Sequence, residues 1–215
     1  VMAHKLTLLS KSILPLPDKH KALQQEEKRL RKRYLDFIYN EDSRSVVYKR
    51  DIFWNTIRSF LKSRGFLEVY TPVLETTTGG ADARPFITHH NAMDMEVYLR
   101  ISMGELWQKR LMVGGFEKTF EIGPQFRNEG MDAEHLNDYI QMEFYWAYAN
   151  YELGMQLVEE MYKEAALKTC GTLQFQIGEF QLDLSQPWKR YYYVDTIKEM
   201  TGIDVLNTTL VEVEG

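Results

Sequence analysis

Residues 120–148 read FEIGPQFRNEGMDAEHLNDYIQMEFYWAY, and the alternation within this stretch decides the fold. It predicts two strands, Glu117–Glu129 and Ile140–Tyr148, joined by a polar loop from Gly130 to Tyr139. Side chains alternate across a strand, so Arg127 and Glu129 share a face. On the returning strand Gln141, Glu143 and Tyr145 share a face, while Met142, Phe144 and Trp146 point the other way. One side of the hairpin is therefore packable, and the other combines an Arg, two Glu and a Tyr. A guanidinium suits a carboxylate or phosphate because it makes two parallel charge-assisted bonds. Carboxylates beside it favour a ligand that also carries ammonium groups, and an amino acid with a basic side chain fits that pattern. The bland alternative is an amphipathic hairpin with a surface ion pair, which is worth little.

Working outward, Leu14-Pro15-Leu16-Pro17 reads as an extended connector. Residues 24 to about 38 have helical propensity with i,i+4 pairs such as Glu27 with Arg31. From Tyr48 to Arg64, Ile52, Phe53, Ile57, Phe60 and Leu61 recur at helical spacing, and Gly65 supplies a stop. FLEVYTPVL reads as a strand interrupted by Pro72, which donates no ladder hydrogen bond, so it should lie at an edge or break there. A Gly-Gly loop spans Thr76–Asp82, followed by a short strand at Val97–Ile101 and a helix over Gly104–Val113. A helix over Glu152–Lys168 presents Leu153, Leu157, Met161 and Ala165 on one face. TLQFQI and FQLDL flank Gly178-Glu179 as a hairpin, and a last helix near Val194–Thr201 is closed by Gly202. Strands outside a βαβ rhythm point to an α+β fold, with a mainly antiparallel sheet flanked by helices. His89 and His90 face opposite ways on a strand and have no second ligand pair, so no metal site is expected within the chain.

The length of 215 residues allows one large domain or two small ones, and 44% hydrophobic residues suffice for a core. No apolar run approaches the roughly 20 residues of a membrane span. No clean signal peptide is read at the N-terminus. The single Cys170 suits a reducing compartment, so a cytoplasmic setting is expected. The net charge of −5 argues against a generally basic nucleic-acid binder. Residues 1–34 nevertheless carry +6 and the remainder −11. That basic segment could touch RNA phosphates, or be a solvated helix face.

FRNEG with EFYWAY resembles motif 2 of the class II aminoacyl-tRNA synthetases, and GFLEVYTPVL resembles motif 1. GGADARPFITHHNAMDMEVYLRIS, followed by GELWQKRLMVGGFEKTFEIGPQFRNEG, looks specifically like the lysine enzymes of that family. RYLDFI at 33–38 and the preceding LPLPDK are similar to the family's link from the anticodon-binding domain. The resemblance covers roughly residues 6 to 205.

The resemblance implies an ATP-dependent activation of L-lysine to lysyl-adenylate, with Mg²⁺, and transfer to tRNA(Lys) by a homodimer built through motif 1. Arg127 is similar to the arginine that holds the ATP α-phosphate and the substrate carboxylate. Glu129 looks like the residue that orients the adenine end, and His135 lies in the loop that contacts the outer phosphates. Tyr139 matches a position whose ring stacks on adenine. Glu105 matches the carboxylate that receives the lysine α-ammonium; by itself it would be a helix-dipole partner in a first turn. Glu143 and Tyr145 match residues lining the lysine pocket. Gly79-Gly80-Ala81 corresponds to a loop that closes over the amino acid.

Two departures from the family pattern stand out. HLNDY replaces the commoner HNPEF in the motif 2 loop, and no Gly-rich segment with an Arg-bearing helix, as in motif 3, precedes Gly215. The expectation is therefore residues 1–23 as the end of an anticodon-binding domain, and 24–215 as a catalytic domain cut before motif 3 and inactive alone. The competing readings are a non-catalytic dimerising or ligand-binding scaffold, and a paralogue that attaches lysine to a protein.

Overall fold

The computed structural model describes residues 2–16, 25–132 and 134–208. The expected domain boundary at residues 23–24 lies outside them. The charged run that follows forms two helices instead of one, α1 (Glu26–Arg31) and α2 (Arg33–Tyr39), broken at Lys32, where φ is −118° and ψ 47°. Asp36 ties the pieces together. It is only 3% exposed, and its carboxylate accepts from Arg29 Nε at 2.9 Å, Arg33 Nη1 at 3.2 Å and Ser43 Oγ at 2.5 Å. A buried carboxylate is tolerable only with such partners.

Ser43 belongs to α3 (Glu41–Ser63), which starts well before Tyr48 because Asn40 caps it. The Asn40 side chain accepts from the Asp42 and Ser43 amides, and such a cap is worth about 1 kcal/mol.

The predicted strand carrying Pro72 is split. Its first part, β1 (Leu67–Glu68), and its second, β2 (Leu74–Glu75), belong to different sheets. Beyond β2 come β3 (Ile87–His90), the strand that carries His89 and His90, and β4 (Met95–Leu99), which pair antiparallel with each other; β2 pairs antiparallel with β4. Then follow α4 (Glu105–Val113), β5 (Lys118–Phe126) and β6 (Asp138–Trp146). β1 lies parallel beside β5, and β5 pairs antiparallel with β6 in a register that sets Phe120 opposite Phe144 and Glu121 opposite Glu143. α5 (Tyr151–Cys170), the hairpin β7 (Gln174–Ile177) and β8 (Phe180–Asp183), and α6 (Tyr193–Thr201) complete the order. The architecture is α+β, with antiparallel pairing dominant.

The core lies where α3 and α5 cover one face of the β5–β6 hairpin. Ile57, Phe60 and Leu61 meet Leu157, Met161 and Ala165 there, together with Phe66 and Phe120. Ile122, Met142, Phe144 and Trp146 pack against this cluster, as the alternation requires. With its apolar face occupied by two helices, the hairpin must turn its polar face towards the segments around β2, β4 and α4.

Candidate functional site

On that polar face the register places Glu121 beside Glu143, Gly123 beside Gln141 and Gln125 beside Tyr139. Glu143 Oε1 accepts from the Met103 amide at 3.3 Å and from Gln141 Nε2 at 2.7 Å. Burial pushes the Glu143 carboxyl above its ordinary range; the Met103 amide pulls it down, Glu105 and Glu121 push it further up, and Arg100 pulls it down. The Tyr145 phenol is pushed up to about 12, first by burial and then by Glu105 and Glu143. It therefore remains a hydrogen-bond donor throughout the neutral range.

Glu105 opens α4, and its carboxylate is paired with Lys109 one turn on. The loop through Gly80 lies directly above it. Gly80 has φ 87°, and a Cβ there would stand 2.0 Å from Ser102 Oγ and 2.8 Å from Glu105 Oε2. Only glycine combines that backbone region with so close an approach. Ser102 Oγ donates to the Gly79 carbonyl at 2.7 Å and so pins the loop. Gly80, Glu105, Glu143 and Tyr145 are thus gathered at one end of the polar face, where two carboxylates predominate.

At the other end, Arg127, Glu129, His135 and Tyr139 line one cavity of about 510 Å³, together with Gly130, Glu134 and Leu136. Arg127 and Glu129 do not share a strand, because β5 ends at Phe126. The ladder stops where Asn137 takes over. Its amide Nδ2 donates to the Arg127 and Glu129 carbonyls, both at 2.8 Å, while the Asn137 carbonyl accepts from the Arg127 amide at 2.8 Å. The Glu129 carboxylate accepts from the Arg84 amide at 3.3 Å. Asp132 organises the loop tip by accepting from the Glu134 and His135 amides, and it holds His135 Nδ1 at 2.8 Å. Those bonds hold the Asp132 carboxyl below its usual range, the Glu134 amide first.

Arg127 connects the two ends. Its Nε donates to the Ile101 carbonyl at 3.4 Å, and its guanidinium carbon lies 5.6 Å from the centre of the Tyr139 ring. A guanidinium that lines a cavity beside an aromatic ring offers a planar fork that can grip two anionic groups at once.

Sequence reasoning missed the buried scaffold beneath this face. Arg100 and Glu121 are each only 2% exposed and pair at 2.6 Å. Thr71 donates to Glu121 Oε2 from its amide at 3.1 Å and its hydroxyl at 2.6 Å. The available signal was a charged residue set between apolar neighbours, in Leu99-Arg100-Ile101 and Phe120-Glu121-Ile122. Among the described residues no three His, Cys, Asp or Glu side chains converge to hold a metal ion. Likewise, no helix there is long and apolar enough to cross a membrane.

Residues 25–211 match the family model described as tRNA synthetases class II (D, K and N). The chain is similar to a lysine–tRNA ligase of Listeria welshimeri, 48% identical over 209 residues, covering 97% of this chain and 42% of the relative. It is similar also to those of Staphylococcus epidermidis, 47% identical over 96% of the chain, and Enterococcus faecalis, 47% over 99%, again with 42% of each relative covered. The chain thus spans about two fifths of the length of the curated relatives it matches.

Proposed function

The chain belongs to the class II tRNA synthetases (D, K and N), and we propose that it supplies the part of a lysine–tRNA ligase that binds lysine and ATP and joins them. One observation carries the choice of lysine: Glu105 and Glu143 stand close enough to act on each other and on Tyr145, two carboxylates opposite in charge to a substrate with two ammonium groups. The resemblance of residues 79–130 to the lysine enzymes and the similarity to curated lysine–tRNA ligases support the same reading.

In this reading Glu105 receives the α-ammonium, while Glu143 and Tyr145 line the side-chain pocket under the Gly79-Gly80-Ala81 loop. Arg127 bridges the lysine carboxylate and the ATP α-phosphate. Tyr139 offers its ring to adenine, Glu129 orients the adenine end, and His135, held by Asp132, faces the outer phosphates. A carboxylate oxygen of lysine attacks the α-phosphorus. The new bond is carboxyl oxygen to phosphorus, the bond broken joins the α-phosphorus to its bridging oxygen, and pyrophosphate leaves. A tRNA terminal hydroxyl then attacks the carbonyl and AMP leaves. The substrate supplies its own nucleophile, so the protein contributes positioning and charge compensation. Mg²⁺ is the cation expected with ATP, and among the described residues no three His, Cys, Asp or Glu side chains converge to hold it.

Residues 24–215 would form the catalytic unit, with a cytoplasmic setting. Val46, Val47, Tyr48 and Ile52, exposed along the first half of α3, supply apolar surface for a homodimer through motif 1. Lysine-dependent ATP–pyrophosphate exchange by the full-length protein tests the reading. Lysine should stimulate exchange while aspartate and asparagine do not, and equal stimulation by all three would refute it.

A further inference from the structure

Arg100 lies outside every element of regular structure, yet it is among the most deeply buried side chains described. Its Nη1 pairs with Glu121 at 2.6 Å and also reaches the Thr71 carbonyl and hydroxyl, both at 3.3 Å; its Nε donates to the Pro124 carbonyl at 3.0 Å. β5 makes room for it. A Cβ at Gly123 would stand 2.6 Å from Arg100 Nη2, so the strand gives up a side chain where the guanidinium lies. Stability alone explains such a pair poorly, because a buried ion pair can often be replaced by apolar residues without loss.

The surroundings indicate what the pair does. Glu121 is the register partner of Glu143, so two carboxylates stand side by side on neighbouring strands and Arg100 neutralises one of them. The residues that follow Arg100 reach the rest of the site. The Ile101 carbonyl accepts from Arg127, and the Met103 amide donates to Glu143. We propose that Arg100 is a positioning residue of the lysine pocket, whose buried cation offsets the charge that Glu121 sets beside Glu143 and holds the segment whose Met103 amide and Ile101 carbonyl meet Glu143 and Arg127. This inference rests on the lysine reading above.

The groups that act on Glu143 come from every side. Glu105, with Lys109 on it, comes from α4; Glu121 from β5; Arg100 and the Met103 amide from the segment between β4 and α4; and Tyr145 from its own strand. Arg100 pulls the Glu143 carboxyl down and Glu121 pushes it up. Removing each charge should therefore move the acid limb of lysine use in opposite directions.

The test is kcat/KM for lysine against pH, by ATP–pyrophosphate exchange with the full-length protein. Arg100→Met should move the acid limb up by about half a pH unit or more, and raise KM for lysine about tenfold while KM for ATP changes less than about twofold. Glu121→Gln should move the limb down, and Arg100→Lys, which keeps the charge, should leave it near its original position. A merely structural role would lower activity at all pH values and leave the limb where it was. Each variant is read by its own sign, so if Arg100→Met fails to fold, the direction given by Glu121→Gln decides. Limbs that stay fixed, or shift together, overturn the inference while normal lysine dependence of the unaltered protein preserves the functional reading. Absence of lysine dependence in the unaltered protein overturns both.

Discussion

Glu121 and Glu143 stand directly opposite each other on β5 and β6, and the two carboxylates are satisfied in different ways. Glu121 has a buried guanidinium and two donors from Thr71. Among the described residues Glu143 has only the Met103 amide and Gln141. Like charges in register oppose each other, so the strain of the arrangement falls on Glu143, the residue proposed to meet the substrate.

That imbalance has a definite sign. The Glu143 carboxyl is raised in the folded protein, so folding penalises its charged form, and the penalty applies above the folded value and is relieved as pH falls through it. Glu143→Gln removes the charge while its carbonyl still accepts from Met103 and Gln141. At pH 7 the variant should melt at the same temperature as the parent or higher, while KM for lysine rises about a hundredfold, as for loss of a buried charge-assisted contact. Thermal unfolding followed by circular dichroism, alongside exchange kinetics, checks both halves.

Gly80→Ala should act on lysine and spare ATP. The added methyl would meet Ser102 and Glu105 well inside contact distance, at a backbone conformation that disfavours alanine. KM for lysine should rise about tenfold or more, with a stability loss of about 1–3 kcal/mol. Denaturant unfolding and separate KM values for the two substrates measure this.

Arg127→Ala removes the group between the two ends of the site. Lysine-dependent exchange should fall by about a hundredfold to a thousandfold or more. Arg127→Lys should recover little of it, because a point charge cannot span two anions as a planar fork does. Near-normal exchange by the alanine variant would falsify the role assigned to Arg127.

Asn137→Ala removes both amide hydrogen bonds that hold residues 127–129 in place. The cavity lined by Arg127, Glu129 and Tyr139 should loosen, raising KM for ATP about tenfold and leaving KM for lysine nearly unchanged. Initial-rate kinetics with each substrate varied in turn separate the two.

Phe60 is 2% exposed and sits at the centre of the helix–hairpin core. Phe60→Ala should cost about 3–5 kcal/mol, read from chemical denaturation.

Local residue chemistry carried much of this structure. The alternation in 120–148 identified which face of the hairpin packs, and Phe120, Met142, Phe144 and Trp146 lie in or against the core as it requires. Pro72 announced a broken strand, and its two parts joined different sheets. The spacing of Leu153, Leu157, Met161 and Ala165 marked one face of α5, of which the last three are buried while Leu153, in the first turn, is exposed. Where the reading fell short, the deciding contact came from a distant or unsuspected partner. The start of α3 depends on the Asn40 cap and on Ser43 meeting Asp36, and the end of β5 depends on Asn137, ten positions along the chain from Arg127.

From the sequence alone came the hairpin, its two faces, the family, and the residues now gathered as the candidate site. The hairpin and its faces follow from period-two alternation and turn chemistry, which are properties of neighbours along the chain, and the family and the site residues follow from the resemblance of its motifs. Tertiary structure alone decided that Glu121 faces Glu143, that Arg100 lies beneath them in space left by Gly123, and that Gly80 presses on Glu105. Such pairings join residues far apart in the chain, and their energies depend on burial and separation, which no local pattern records.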